Sequence, residues 1–294
     1  MKILCLYHSN CYDGFGAAWV VRNWAQQHPD VEVEYRGAMT GKSPEDATGF
    51  DMLFLLDFTY SPEILEAYYM QGLKQILVID HHQTNQDKLG DLIRGSQFKS
   101  QPYDILNGRG KWAIFDMAKS GAGLTWDIFH PGKERPLLID YIEDRDIWNW
   151  KLNCSSEVNT AIMSYDLTFE NFDLLNHKFN NDRLSLYIDG LALTRKLKKD
   201  VRDLLSIKQI FKIGGYEVPV ANVPWMLNSD LGNELSKGQP FAATYFDGHT
   251  HTVVSLRSQK DGGLDVAKIA ESYGGGGHKN ASSFRMPLGW RGDK

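Results

Sequence analysis

Short apolar runs alternate with amphipathic stretches along the first half of the chain. Residues 2–7, 31–35, 52–56 and 75–79 are rich in Leu, Ile, Val and aromatic side chains and are too short for buried helices, so they are predicted strands. Between them, residues 15–27 and 62–71 carry apolar positions at helical spacing. The first is entered through Asp13-Gly14; the second has Ser61 at the N-cap and Pro62 at the first helical position. Residues 121–129 form another predicted helix, and 137–143 lead into Asp144-Arg145-Asp146. Strands alternating with helices predict an α/β domain with a mostly parallel sheet flanked by helices. Residues 169–209 keep helical spacing throughout and read as a helical connector. From Phe211 onward the texture becomes Gly-rich and β-branched, with strands predicted over 216–221, 241–245 and 252–256 and a helix over 264–273. The expected organisation is therefore an α/β domain over 1–168, a helical linker over 169–210, and a smaller C-terminal α/β domain over 211–294.

Composition narrows the class. With 294 residues and 42% hydrophobic side chains, the chain supports two cores. It shows neither an 18-residue apolar run nor a secretory signal pattern, so a cytoplasmic protein with no membrane partner is expected. Cys5, Cys11 and Cys154 are an odd, sparse set and do not form a disulfide framework. A net charge of −5 argues against a general electrostatic grip on long nucleic acid, but leaves room for a small anion or a short oligonucleotide held by a local site.

The candidate chemistry sits where the apolar runs end. The run 75–79 delivers Asp80-His81-His82, the run 2–7 delivers His8, and the run 52–56 delivers Asp57. The C-terminal ends of parallel strands lie side by side, and ligands bind there in open α/β sheets. Imidazole nitrogens with carboxylate oxygens suit a borderline divalent cation such as Mn²⁺ better than a thiolate-type zinc site. A pair of such ions shares a bridging carboxylate, for which Asp57 is the best placed.

These residues resemble the DHH phosphoesterases, in particular the smaller members with a C-terminal DHHA1-type domain: nano-RNase/pAp phosphatases and exopolyphosphatase-related proteins. The resemblance runs over nearly the whole chain, through His8-Ser-Asn-Cys-Tyr-Asp-Gly14, Leu56-Asp57, Asp80-His81-His82, Glu143-Asp-Arg-Asp146 and Gly274-Gly-Gly-Gly-His-Lys-Asn-Ala281. It implies that His8, Asp13, Asp57, His81 and Asp144 bind one or two divalent ions, Mn²⁺ first and Mg²⁺, Co²⁺ or Zn²⁺ as alternatives. Asp80 and Asp57 would support catalysis, and His82 would face the phosphate. Asp146 is the runner-up to Asp144, and Asp80 a further candidate ligand. The chain departs from the family at Cys11, which stands where a first-motif carboxylate is usual; it is a candidate ligand of softer character.

On the substrate side, the Gly run strips side chains from Gly275, Gly276 and Gly277, so backbone N–H groups can approach an anion. His278 and Lys279 follow, and Arg257 ends a predicted strand with a guanidinium suited to bidentate phosphate contact. One domain for chemistry and one for end recognition imply an exo-acting phosphoesterase on short oligonucleotides or another small phosphorylated nucleotide. Exopolyphosphatase, pAp or cyclic-dinucleotide hydrolase activity, or a catalytically silent protein that binds nucleotides or nucleic-acid ends, are the alternatives.

Overall fold

The computed structural model describes residues 1–39, 42–90 and 109–294. They fall into two compact units, Met1–Thr194 and Arg195–Lys294.

The first unit is built on strands β1 (Lys2–His8), β2 (Glu32–Ala38), β3 (Met52–Leu56), β4 (Gln75–Asp80) and β5 (Gly110–Phe115). They form one sheet in the order β2-β1-β3-β4-β5, and every pairing is parallel. Helices α1 (Tyr12–Ala25), α2 (Pro62–Met70), α3 (Gln83–Leu89), α4 (Gly121–Phe129), α5 (Leu137–Asp146), α6 (Ser155–Ile162) and α7 (Phe169–Asn181) complete it, with α8 (Arg183–Leu204) running across the division between units. Every residue of β3 and β4 is buried, which explains their unbroken apolar sequence: both faces are covered. One face packs Phe54, Leu56, Leu77 and Ile79 against α1, α4, α5 and α7. The other packs Leu53, Leu55, Ile76 and Val78 against Leu65 and Tyr68 of α2.

The second unit holds β6 (Gln209–Ile213), β7 (Tyr216–Asn222), β8 (Ala242–Asp247), β9 (His251–Arg257), β10 (Gly276–His278) and β11 (Ala281–Pro287), with helices α9 (Asn228–Leu235) and α10 (Val266–Ser272). Its sheet order is β10-β11-β9-β8-β7-β6, mixed through one parallel pairing of β7 with β8. The α/β class and the second, smaller α/β unit agree with the sequence. Among the described residues no helix is long and apolar enough to cross a membrane.

Several local expectations change. The helix predicted over 15–27 starts at Tyr12, and the strand predicted over 31–35 extends to Ala38. Gln209, predicted helical, opens β6. Strand β5 carries Gly110 and Lys111 and is only partly buried, as an edge strand is, so its sequence lacks the apolar signature of β3 and β4. The acidic segment that residues 137–143 lead into continues the helix as the last turn of α5.

Candidate functional site

In a sheet of order 2-1-3-4-5, the connections from β1 and β3 leave on opposite faces and open a crevice between those two strand ends. His8 closes β1, and Asp57 follows β3. Asp57 takes a left-handed backbone conformation at φ 62°, which costs an L-residue roughly 1–2 kcal/mol. The turn is bonded to the sheet, since its N–H donates to the Ile79 carbonyl at 2.8 Å. It aims the carboxylate between two imidazoles. His8 Nδ1 donates to Asp57 Oδ2 at 3.2 Å, and His81 Nε2 donates to Oδ1 at 3.1 Å.

Two more carboxylates surround His81. Asp13 Oδ2 lies 3.6 Å and Asp146 Oδ2 3.4 Å from its Nε2. Asp13, in the first turn of α1, also accepts the N–H groups of Gly121 and Ala122 at 2.6 and 2.9 Å, so it caps the N-terminus of α4. A Cβ on Gly121 would stand 2.7 Å from Asp57 Cβ and 2.9 Å from Asp13 Oδ2. Glycine is what lets α4 begin against the site. Asp80 spends both oxygens on orientation. Oδ1 accepts from the His81 and His82 N–H groups and from His82 Nδ1 at 2.7, 3.2 and 2.7 Å, and Oδ2 accepts from Asn85 Nδ2 at 2.6 Å. With the proton held on Nδ1, His82 presents its second nitrogen, Nε2, away from Asp80.

The electrostatics follow from burial and crowding. Burial, then Asp146 and Asp57, push the Asp13 carboxyl well above the usual range. Burial also opposes ionisation of Asp57, but hydrogen bonds from His8 and His81 hold its carboxyl well below that range. Burial disfavours a charged His81, yet Asp57, Asp146 and Asp13 together raise its pKa well above that of a free imidazole. The Cys11 thiol is raised first by burial and then by Asp57, Asp146 and Asp13. Such a concentration of buried carboxylates is stabilised by positive charge; here the imidazoles provide it, and a metal ion is the other group that does.

The donor set fits divalent cations. Donor atoms of Asp13, Asp57 and His81 lie within 4.8 Å of one another, as do those of His8, Cys11 and Asp57, and Asp57 belongs to both groups. Asp57, Asp80 and His82 make a third such group. Of the two candidate ligands on α5, the structure brings Asp146 to the cluster and turns Asp144 away. Two positions along a helix differ by about 200°, so only one of the pair faces the site. Asp144 instead accepts the N–H groups of Lys151 and Leu152 at 2.9 and 3.1 Å and shapes the chain after α5. Sequence reading placed the helix start at 121 but connected neither it nor Asn85 with the site. The spacing of small residues ahead of α4 was the available signal for the helix start.

In the second unit, register ties the candidate substrate residues together. His278 pairs with Ala281, and Ala281 with Arg257 across β10, β11 and β9. Arg257 donates to the Leu256 carbonyl and to Ser229 Oγ at 2.7 and 3.0 Å. Asn280 Nδ2 donates to Ser258 Oγ and the Gln259 carbonyl, at 2.9 and 3.0 Å, which pins the turn that carries Lys279. Part of the glycine requirement is packing. A Cβ would meet the Ser283 carbonyl at 2.1 Å from Gly275 and the Ala281 carbonyl at 2.6 Å from Gly277, whose φ is 144°. Gly276 opens β10 opposite Ser283.

No family model matches the chain. It is 28% identical over 304 residues to an uncharacterized protein of Acanthamoeba polyphaga mimivirus, covering 95% of this chain and 66% of that protein. Among solved structures it is similar to RecJ from Thermus thermophilus in complex with Mn²⁺ (TM-score 0.51, 14% identity, 97% of this chain and 49% of that one). It is likewise similar to an exopolyphosphatase-related protein from Bacteroides fragilis (TM-score 0.52, 13% identity, 97% and 86%). The chain thus spans about two-thirds of the viral relative (66%) and half of RecJ (49%). The likeness is one of fold, and it agrees with the two-domain DHH and DHHA1 architecture that the motifs implied.

Proposed function

We propose that the chain is a divalent-metal-dependent phosphoesterase that removes terminal nucleotides from short oligonucleotides. The observation that carries this is Asp57, a buried carboxylate whose two oxygens serve two separate donor groups at the mouth of a parallel sheet. The fold shared with a Mn²⁺-bound RecJ and an exopolyphosphatase-related protein supports it. His8, Cys11 and Asp57 would hold one ion, and Asp13, Asp57, His81 and Asp146 the other. Bound there, divalent ions supply Lewis acidity that activates water and screens charge building on the phosphoryl oxygens. The Nδ1 bond to Asp80 orients His82, and in the imidazolium form its Nε2–H would meet a phosphoryl oxygen or give its proton to the leaving oxygen. Arg257, the glycines 275–277, His278 and Lys279 are assigned to substrate recognition.

The test is a panel of di- to pentaribonucleotides, pAp, polyphosphate and cyclic dinucleotides, each with Mn²⁺, Mg²⁺, Co²⁺ or Zn²⁺, read by mononucleotide and phosphate release. Mononucleotide release from the oligonucleotides is expected. Turnover confined to another arm replaces the substrate. No metal-stimulated turnover on any arm, with oligonucleotide still bound, leaves a nucleotide-binding protein and overturns the enzyme reading.

A further inference from the structure

The two donor groups that share Asp57 differ in chemistry. Asp13, Asp57 and His81 offer two oxygens and a nitrogen. His8, Cys11 and Asp57 offer a nitrogen, a sulfur and an oxygen, brought together by the end of β1, the residue before α1 and the turn after β3. Bonds to a cation such as zinc run about 2.0–2.3 Å, so three donor atoms within 4.8 Å of one another close on one ion through side-chain adjustment. Other roles do not account for Cys11. It occupies the N-cap of α1 with the Gly14 N–H facing its sulfur but without a capping hydrogen bond of good geometry, and cysteine is not among the residues that cap helices well. It is a free thiol, and it joins neither of the two hydrophobic clusters of its unit, unlike Cys5, which is fully buried in one of them.

We propose that the centre is heterodinuclear by design of its ligands: the His8–Cys11–Asp57 position takes a thiophilic divalent cation such as Zn²⁺ or Co²⁺, and the Asp13–Asp57–His81 position a harder ion such as Mn²⁺. Thiolate and imidazole favour zinc and cobalt over manganese, whereas carboxylate oxygens suit manganese, so one shared carboxylate separates two selectivities. The inference rests on the metal-site reading above and is independent of substrate.

The full-length protein, stripped with a chelator and reloaded with Co²⁺, should show a near-ultraviolet thiolate-to-cobalt charge-transfer band. The band should vanish in Cys11→Ser and persist in Cys154→Ser. After exposure to equimolar Zn²⁺ and Mn²⁺ and desalting, elemental analysis should find both metals in the wild type. Its zinc-to-manganese ratio should exceed that of Cys11→Asp by roughly tenfold or more. Any of four results overturns the proposal: no band in the wild type, a band surviving in Cys11→Ser, equal metal ratios in wild type and Cys11→Asp, or a wild type that keeps zinc alone. None of these measurements contains substrate. A protein with the band but no turnover fails only the phosphoesterase reading, and a manganese-driven enzyme without the band fails only this one.

Discussion

Asp144 and Asp146 show how far a single residue can be read from sequence. Both sit in one acidic segment, and only the phase of α5 decides that Asp146 reaches His81 while Asp144 holds the following backbone. Their substitutions should therefore separate. Asp146→Asn should weaken Mn²⁺ binding by roughly 10–100-fold, read by calorimetric titration, with unfolding little changed. Asp144→Asn should keep metal affinity and lose about 1–3 kcal/mol of stability in urea, because one backbone N–H loses its acceptor. A further acid on α5, Asp140, gives a pH signature. Burial, partly offset by Arg135, pushes the Asp140 carboxyl up to about 6, above the roughly 3.9 of an unfolded chain. The folded state then holds this proton more tightly, so its contribution to stability falls as pH rises from about 4 to 6 and stays low above that. Asp140→Asn should match the wild type near pH 4 and be the more stable protein at pH 8, measured by urea unfolding at each pH.

At the level of elements, legibility followed burial. Strands β3 and β4, covered on both faces, announce themselves as apolar runs, and their ends carry Asp57 and Asp80-His81-His82. Strand β5 and the β10–β11 hairpin do not, since an edge strand and a glycine-rich strand carry little β-signal of their own. Helix α4 was legible as a helix but not as part of the site, because its N-terminus meets Asp13 across 108 residues of sequence. That contact makes a prediction. Gly121→Ala places a methyl against Asp57 and Asp13, so it should cost about 1–3 kcal/mol of stability and reduce the Mn²⁺-induced rise in melting temperature. An unchanged metal response would mean that α4 yields and the carboxylates do not move.

For the molecule as a whole, the change from apolar-run texture to Gly-rich, β-branched texture marked two differently built parts, and two compact units are observed. Nothing in the pattern specified the mixed six-stranded order of the second sheet, which depends on pairings far apart in sequence, such as Pro287 of β11 with His251 of β9. Asp13, Asp57 and Asp80 are buried together beside His81, and this couples metal binding to folding. An ion that binds the folded chain alone adds RT ln(1 + [L]/Kd), about 2.7 kcal/mol at 100 times Kd. Mn²⁺ should therefore raise the melting temperature, EDTA should reverse the rise, and Asp57→Asn should abolish it, all by scanning calorimetry.

The burial of β3 and β4 reaches beyond the core. Local opening in a folded protein is confined to segments with few buried contacts, and fully buried central strands open only when their unit unfolds. His81 and Asp57 ride directly on such strands, one residue past their ends, whereas Asp146 is the last residue of a helix, with a quarter of its side chain (26%) exposed. The two inner donors are thus as permanent as the sheet. Asp146 is the donor of this group whose position depends on a helix end rather than on the sheet.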